Sequence, residues 1–366
     1  MFSILYTTII CYVNLFVNLI VTFLLLGLKN KVNVLIHLGG KIMNNTQKVW
    51  ILDSEGLDHD KEISLYHEAH VEYKITTKET YLEDLNTFGK DADAVVAQVG
   101  FACTKELINQ LDNCKAICTF GMGFNHVDLE AAKEKGIYVS NVPNYCEEEV
   151  ADHTLALSLT VLRRLFDYNK QVKQGVWDPT NTQPIHRLSQ TVIGLLGFGQ
   201  IARMVAQRFK GFGVTIIVHD RFVDEKVFDE YGVTSVSLDE LLEKSNLLSL
   251  HIPLTKETKN LIDKEKMEKL PKGAMIVNTC RGGIIDEAAL AELIISEHIS
   301  AAGIDVLEQE PPENDNPLIG LEQVIMTPHA AFNSVEATEQ MQIETANNVI
   351  RAINGEKPLY IVNYLK

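Results

Sequence analysis

Gly194-Leu-Leu-Gly197-Phe-Gly199-Gln-Ile-Ala202 decides the fold of this chain. An aliphatic run over 192–196 ends in two glycines one residue apart and passes at once into a helical stretch, giving a strand, a tight turn and a helix N-terminus in succession. Gly197 permits the turn, and Gly199 lets backbone amides approach a pyrophosphate. Ala202 stands where strand and helix must pack closely. Gln200 and Ile201 open the helix, where its dipole favours a phosphate. Asp220 closes the next strand about 20 residues further on, the spacing at which a carboxylate accepts from ribose hydroxyls and repels a 2′-phosphate. The cofactor expected is therefore NAD rather than NADP, with Arg221 the one neighbour able to reach a phosphate if Asp220 swung aside.

Working outward, short β-branched runs alternate with helical ones from residue 49, the pattern of parallel sheets joined by crossover helices. Six strands are predicted after the glycine turn begins, at 192–196, 214–219, 247–250, 275–279, 301–305 and 324–327. Five precede it, at 49–53, 71–75, 94–99, 116–120 and 137–141. Helices are expected over 105–111 and 129–135, the latter stopped by Gly136. A nearly buried helix should run from after Pro143 to about Lys170, with Glu147, Glu148 and Glu149 in its first turn. Ser237 and Glu240 form a capping box for a helix over 238–244. An amphipathic helix over 334–353 should return across the gap, and Tyr360-Ile-Val-Asn363 should close on the first sheet. The fold class is α/β: two Rossmann-like or flavodoxin-like doubly wound parallel-sheet domains with an active-site cleft between them. Residues 43–145 with 330–366 form a substrate domain, and 146–329 the dinucleotide domain.

Three further residues supply chemistry. Arg281, in Val277-Asn-Thr-Cys-Arg-Gly-Gly, follows a strand and offers a permanent planar fork matched to a carboxylate. His329, in Thr327-Pro-His-Ala330, is able to exchange a proton near neutral pH as a carbonyl becomes an alcohol. Glu310 is placed to orient that imidazole and raise its basicity, although taken alone it reads as a solvated loop residue beside Glu308 and Glu313. Asp305 ends a strand at the ligand-binding edge, either to accept from a nicotinamide carboxamide or to serve as a turn residue. His67 and His70 lack a matching ligand set for a metal, and no Gly-x-Ser-x-Gly appears.

The bulk numbers fit this reading. A 366-residue chain that is 46% hydrophobic and 22% charged buries real cores, and a net charge of −16 argues against a nucleic-acid partner. The six cysteines have no zinc-site or redox-pair spacing and read as packing in a reducing compartment. Residues 1–28 contain no charged side chain. As a helix they would rise about 42 Å, against roughly 30 Å of hydrocarbon. Lys29, Lys31 and Lys41 follow, so the positive-inside rule would leave the body in the cytoplasm. The 1–42 segment is expected to be either a single-pass anchor or untranslated, with the start at Met43. A cleaved signal is disfavoured because no basic n-region or Ala-x-Ala site is evident.

These motifs, with His251-Ile-Pro-Leu-Thr-Lys-Glu-Thr258 and Asp305 to Pro312, resemble the D-isomer-specific 2-hydroxyacid dehydrogenase family over about 43–366. The resemblance implies that Arg281, Glu310 and His329 are the catalytic set. It places the pyrophosphate near Gln200 and Ile201, the nicotinamide near Thr279, Cys280 and Asp305, and adds Pro253 and Thr258 to the cofactor site. It implies that backbone amides at Val99 and Gly100 hold the substrate carboxylate, that Phe120-Gly-Met-Gly-Phe-Asn-His-Val-Asp128 is the turn at the cleft, and that the chain is a homodimer. The expected reaction is NAD-dependent interconversion of a 2-keto acid and a D-2-hydroxy acid. Glutamate at 310 argues against a formate dehydrogenase, whose pattern has glutamine. Asn141 to His153 is similar to the C-terminal-binding-protein branch of NADH-sensing co-repressors, so the alternative is an interaction protein with vestigial catalysis. Phe332 stands where those co-repressors have Trp.

Overall fold

The structure is a computed structural model and describes residues 46–364 apart from Glu55. Residues from Gln47 onward pack as one compact unit. The 1–42 segment, with its membrane reading, lies outside the described residues, among which no helix is long and apolar enough to cross a membrane.

Two wholly parallel sheets carry the fold. The first holds β1 Lys48–Leu52, β2 Glu72–Thr76, β3 Ala94–Ala97, β4 Ala116–Thr119 and β5 Tyr138–Ser140, in the order β2-β1-β3-β4-β5. Side chains alternate along a strand, so β1 feeds two cores. Val49 and Ile51 pack with Tyr66, Met341 and Val349 from helices Asp60–Glu68 and Val335–Ile353. Trp50 and Leu52 pack with Leu85, Leu107 and Ala131 from helices on the opposite face. Burial on both faces explains why β1, β3 and β4 read as unbroken apolar runs. Strand order reverses between β1 and β3, and ligands bind outside the carboxyl ends of strands at such a point. Asp53, Ser54, Gln98, Val99 and Gly100 stand there.

The second sheet has seven strands: β6 Val192–Leu196, β7 Thr215–His219, β8 Thr234–Ser235, β9 Leu247–Leu250, β10 Ala274–Asn278, β11 Ile299–Ile304 and β12 Val324–Met326. Their order, β12-β11-β10-β9-β6-β7-β8, is the Rossmann order with one strand added, and it reverses at β6 beside the glycine turn. The sequence predicts six. The extra strand, β8, is two exposed polar residues that pair with Ile217 and Val218 at the sheet edge. It buries no side chain and so leaves no hydrophobic period to read.

The long helix expected to reach Lys170 is two helices, Glu147–Leu162 and Leu165–Lys173, parted by Arg164 at φ 53°. The first is the buried one; the second has no buried residue. The left-handed turn draws the Arg164 side chain inward to 1% exposure, where Nη1 donates to the Ser300 carbonyl on β11 at 2.9 Å. At the other end of the chain, the Val362 amide donates to Val139 O at 2.8 Å. Asn363 bonds the Val139 amide and the Ile137 carbonyl, so the chain closes on β5 as expected.

Candidate active site

Gly197 sits at φ +93°, and a Cβ there would overlap the His251 carbonyl, so only glycine makes this turn. Gly199, at φ −70°, is different: a Cβ on it would meet nothing within 4 Å. That open space lies at the N-terminus of helix Gln200–Lys210, where amides and dipole favour an anion, and it is where a pyrophosphate fits. Asp220 braces the same turn, its Oδ2 accepting from the Phe198 amide at 2.8 Å and its Oδ1 from the Phe222 amide at 2.8 Å. Each oxygen keeps a lone pair for a ribose hydroxyl. Ala202 is fully buried behind the turn, and Ile201 packs against the cores of both sheets. Gln200 Nε2 reaches across to Asn144 Oδ1 at 3.3 Å. The loop after β9 is shaped from within, since the Thr258 hydroxyl donates to Pro253 O at 2.6 Å and accepts from the Thr255 amide at 2.7 Å. These residues fit a bound NAD.

Beyond β10, Asn278 organises the next three residues. Its Nδ2 donates to Arg281 O at 2.8 Å and its Oδ1 accepts from the Cys280 amide at 3.1 Å. Thr279 shares a 2.7 Å hydrogen bond with Thr154 of helix Glu147–Leu162. Burial pushes the Cys280 thiol up to about 11, so it stays protonated and unreactive. Gly282 packs so closely on the Leu307 and Glu308 backbone that no Cβ fits, which fixes where Arg281 emerges. Arg281 Nη1 donates to Cys280 O at 2.6 Å, while Nη2 lies 2.9 Å from where a Gly123 Cβ would be. The guanidinium thus faces the first sheet's loops.

His329 is held at φ 51°, a left-handed conformation rare for a residue with a Cβ. Asp305 supports it. Asp305 is 2% exposed, and its carboxylate accepts from the Thr327 hydroxyl at 2.5 Å and from the Ala330 and Ala331 amides at 2.8 and 3.0 Å. The His329 amide donates to Asp305 O at 2.8 Å. These bonds hold the turn that presents His329. Glu310 Oε2 lies 2.7 Å from His329 Nδ1, and its Oε1 accepts from the Leu307 amide at 2.9 Å. Burial by itself would raise the Glu310 carboxyl, but the hydrogen bond and charge of His329, the Leu307 amide and the Arg281 guanidinium together hold it below the usual carboxylate value. An ionised Glu310 accepts from Nδ1–H, which leaves Nε2 for a ligand.

Val99 and Gly100 are exposed at the end of β3. The sequence reading passed over their neighbours in the cleft. His126, on the turn expected to line it, places Nε2 3.2 Å from Ala97 O, and its buried Nδ1 has no hydrogen-bond partner among the described residues. Burial first, and then the nearby Arg281 charge, lower its pKa. Tyr145 is buried, with its hydroxyl 3.2 Å from the Cβ position of Gly121 and its ring tilted against Phe332. Each lies in a stretch that the sequence marked, His126 in the 120–128 turn and Tyr145 in 141–153, but only folding sets them beside Arg281. Among the described residues no group of His, Cys, Asp and Glu is arranged to hold a metal ion.

A nicotinamide turn, an arginine fork and a paired His–Glu set around one cleft define a class, the NAD-dependent dehydrogenases of small 2-hydroxy acids. Residues 155–331 match the family pattern described as D-isomer specific 2-hydroxyacid dehydrogenase, NAD binding domain. The chain is 37% identical over 288 residues to a D-3-phosphoglycerate dehydrogenase of Methanocaldococcus jannaschii, covering 78% of this chain and 54% of that one. It is 36% identical over 278 residues to a glyoxylate reductase of Korarchaeum cryptofilum, covering 75% and 83%. A crystal structure of a glyoxylate reductase from Paecilomyes thermophila superposes with a TM-score of 0.76 at 29% identity, covering 86% of this chain and 98% of that one. The chain thus spans about half the length of the phosphoglycerate dehydrogenase and most of the reductases. It belongs to the D-isomer specific 2-hydroxyacid dehydrogenase family. None of these relatives supports the co-repressor-like alternative.

Proposed function

We propose that the chain reduces a small 2-keto acid to a D-2-hydroxy acid, with Arg281, Glu310 and His329 as its catalytic set. The observation that carries this reading is the 2.7 Å His329–Glu310 pair in the same cleft as the Arg281 guanidinium. The bound cofactor would supply the hydride to the keto carbon. The Val99 and Gly100 amides hold the substrate carboxylate, and Arg281 forks between that carboxylate and the carbonyl oxygen, drawing charge onto the oxygen. His329 donates its Nε2 proton to that oxygen, and Glu310 keeps the ring in the right tautomer and orientation. Asp220 accepts from the ribose, and Gly199, Gln200 and Ile201 face the pyrophosphate.

The domain division follows the same reading, with 43–145 and 330–366 carrying the substrate and 146–329 the cofactor. The chain is proposed to work as a homodimer through the cofactor-binding half. Leu165, Val172, Val176 and Trp177, all exposed on one segment, support that reading.

Steady-state NADH oxidation with glyoxylate, hydroxypyruvate and pyruvate tests the assignment. Turnover of at least one is expected. His329→Ala should lower kcat by about 10²- to 10⁴-fold, and Arg281→Lys should lose kcat/KM because a point charge does not replace a planar fork. A wild-type chain that binds NADH yet oxidises none of it with any of the three would sink the proposal.

A further inference from the structure

The turn that ends β1 is braced by a histidine that the reaction above does not use. His59 is 4% exposed, with Nδ1 3.0 Å from Glu62 Oε2 and Nε2 3.3 Å from Asp53 Oδ2. Its ring tilts against Phe120, centroids 5.4 Å apart. A neutral imidazole has one N–H and satisfies one carboxylate, leaving the other against a lone pair in a buried site; an imidazolium donates to both. The remaining titratable groups here, Tyr66 from helix Asp60–Glu68 and Cys118 from β4, keep their protons because burial pushes both up, Cys118 to about 12. Helix Val335–Ile353 contributes a neutral Gln342, whose Oε1 accepts from the Lys61 amide. Glu62 is 0% exposed, and burial raises its carboxyl. Burial works to lower His59, yet the hydrogen bonds and charges of Glu62 and then Asp53 outweigh it and hold the imidazole above its ordinary value.

The brace connects to the substrate loop through short contacts. Asp53 Oδ1 accepts from the Gly56 amide at 2.8 Å, which ties Gly56 back to the end of β1. The Ser54 amide donates to the side-chain oxygen of buried Gln98 at 3.0 Å. Ser54 Oγ packs on Gly100 so closely that no Cβ fits there. Gln98 and Gly100 flank Val99. We propose that His59 is a positioning residue: as an imidazolium between Asp53 and Glu62 it locks the turn that holds Val99 and Gly100 in the conformation that receives the substrate carboxylate. This rests on the proposed function for the role of that loop.

His59→Gln, in the full chain, should raise KM for glyoxylate about tenfold while kcat stays within about twofold and the Kd of NADH is unchanged. In the direction of keto-acid reduction, wild-type kcat/KM should carry an extra fall of about tenfold on its alkaline side as His59 loses its proton and the loop loosens. In His59→Gln this extra fall should be absent. The Kd of oxamate on the NADH complex reads the same loss of about tenfold without turnover. Glu62→Gln, which keeps the side chain's size and removes its charge, should move KM and oxamate affinity the same way. Unchanged KM and oxamate Kd in both variants overturn the proposal. So does a joint fall of kcat, keto-acid affinity and NADH affinity, a wild-type alkaline profile of the same shape as that of His59→Gln, or a wild-type NADH complex that binds no oxamate. A wild type whose oxamate affinity falls on His59→Gln but which reduces no keto acid leaves this positioning role standing and removes the catalytic assignment instead.

Discussion

At the scale of single residues, the carboxylates of the cleft are committed to fixed partners. Glu310 spends one oxygen on the Leu307 amide and the other on His329 Nδ1, and Asp305 spends its carboxylate on the turn that holds His329 at a positive φ. The Glu310 carboxyl lies below its ordinary value in the folded protein, so it binds protons less readily there than in the unfolded chain. Its contribution to stability is therefore present above the unfolded glutamate value of about 4.3 and is lost as pH falls through the lower folded value. Glu310→Gln should lower Tm at neutral pH, and the gap to the wild type should close as the pH of the melt drops below about 4. A gap that persists unchanged at low pH would show that the carboxylate charge is not what stabilises this turn. The Glu310–His329 pair was legible in the sequence as an imidazole with a carboxylate placed to orient it, but its 2.7 Å geometry was not. Asp305 was legible by its position at a strand end, but its three acceptor bonds were not, because they come from residues 22 to 26 positions later.

At the scale of elements, the strand, turn and helix over 192–210 show how one letter of sequence divides structural from ligand-binding roles. The two glycines of the motif look alike in sequence and differ in space. Gly197 is held at a positive φ against the His251 carbonyl, whereas Gly199 faces open space at a helix N-terminus. Gly197→Ala should fail by both sterics and conformation, lowering Tm by several degrees and abolishing NADH binding. Gly199→Ala should leave Tm within about a degree and still weaken NADH about tenfold or more, because its methyl group enters the pyrophosphate's place. Thermal melts and NADH fluorescence titrations on the two variants separate these outcomes; a Gly199→Ala chain with wild-type affinity would mean that the cofactor lies elsewhere. The same scale explains two misreadings. Apolar spacing carried the helix after Pro143 past Arg164, because the hydrophobic period does not register a single left-handed residue anchored by Ser300. Strand β8 escaped because edge pairing uses backbone groups that every residue has.

At the scale of the whole molecule, two sheets turn the carboxyl ends of their strands towards one cleft, and the contacts across it come from both. Gln200 meets Asn144, Arg281 abuts Gly123, and Ser334 Oγ donates to Glu149 Oε1 at 2.7 Å. If the exposed apolar segment from Leu165 to Trp177 is the face of a dimer, light scattering on purified protein should give twice the monomer mass, and Trp177→Glu should shift it to the monomer. A wild-type chain that stays monomeric at micromolar concentration removes the dimer from the proposal.

Sequence alone determined the α/β class and the strands that carry apolar runs, and it singled out the glycine turn with Asp220 and the trio Arg281, Glu310 and His329 as the candidates to test. Each of these is written in local periodicity or in residue types whose chemistry is specific. Only the tertiary structure decided what depends on distant chain segments meeting. It set Arg281 beside His126 and Tyr145, tied Asp305 to the turn that holds His329, and linked His59 through Asp53 to the strand end beside Gln98 and Gly100. A buried ion pair or a shared turn is a property of positions in space, and burial gives it energetic weight that spacing along the chain cannot express.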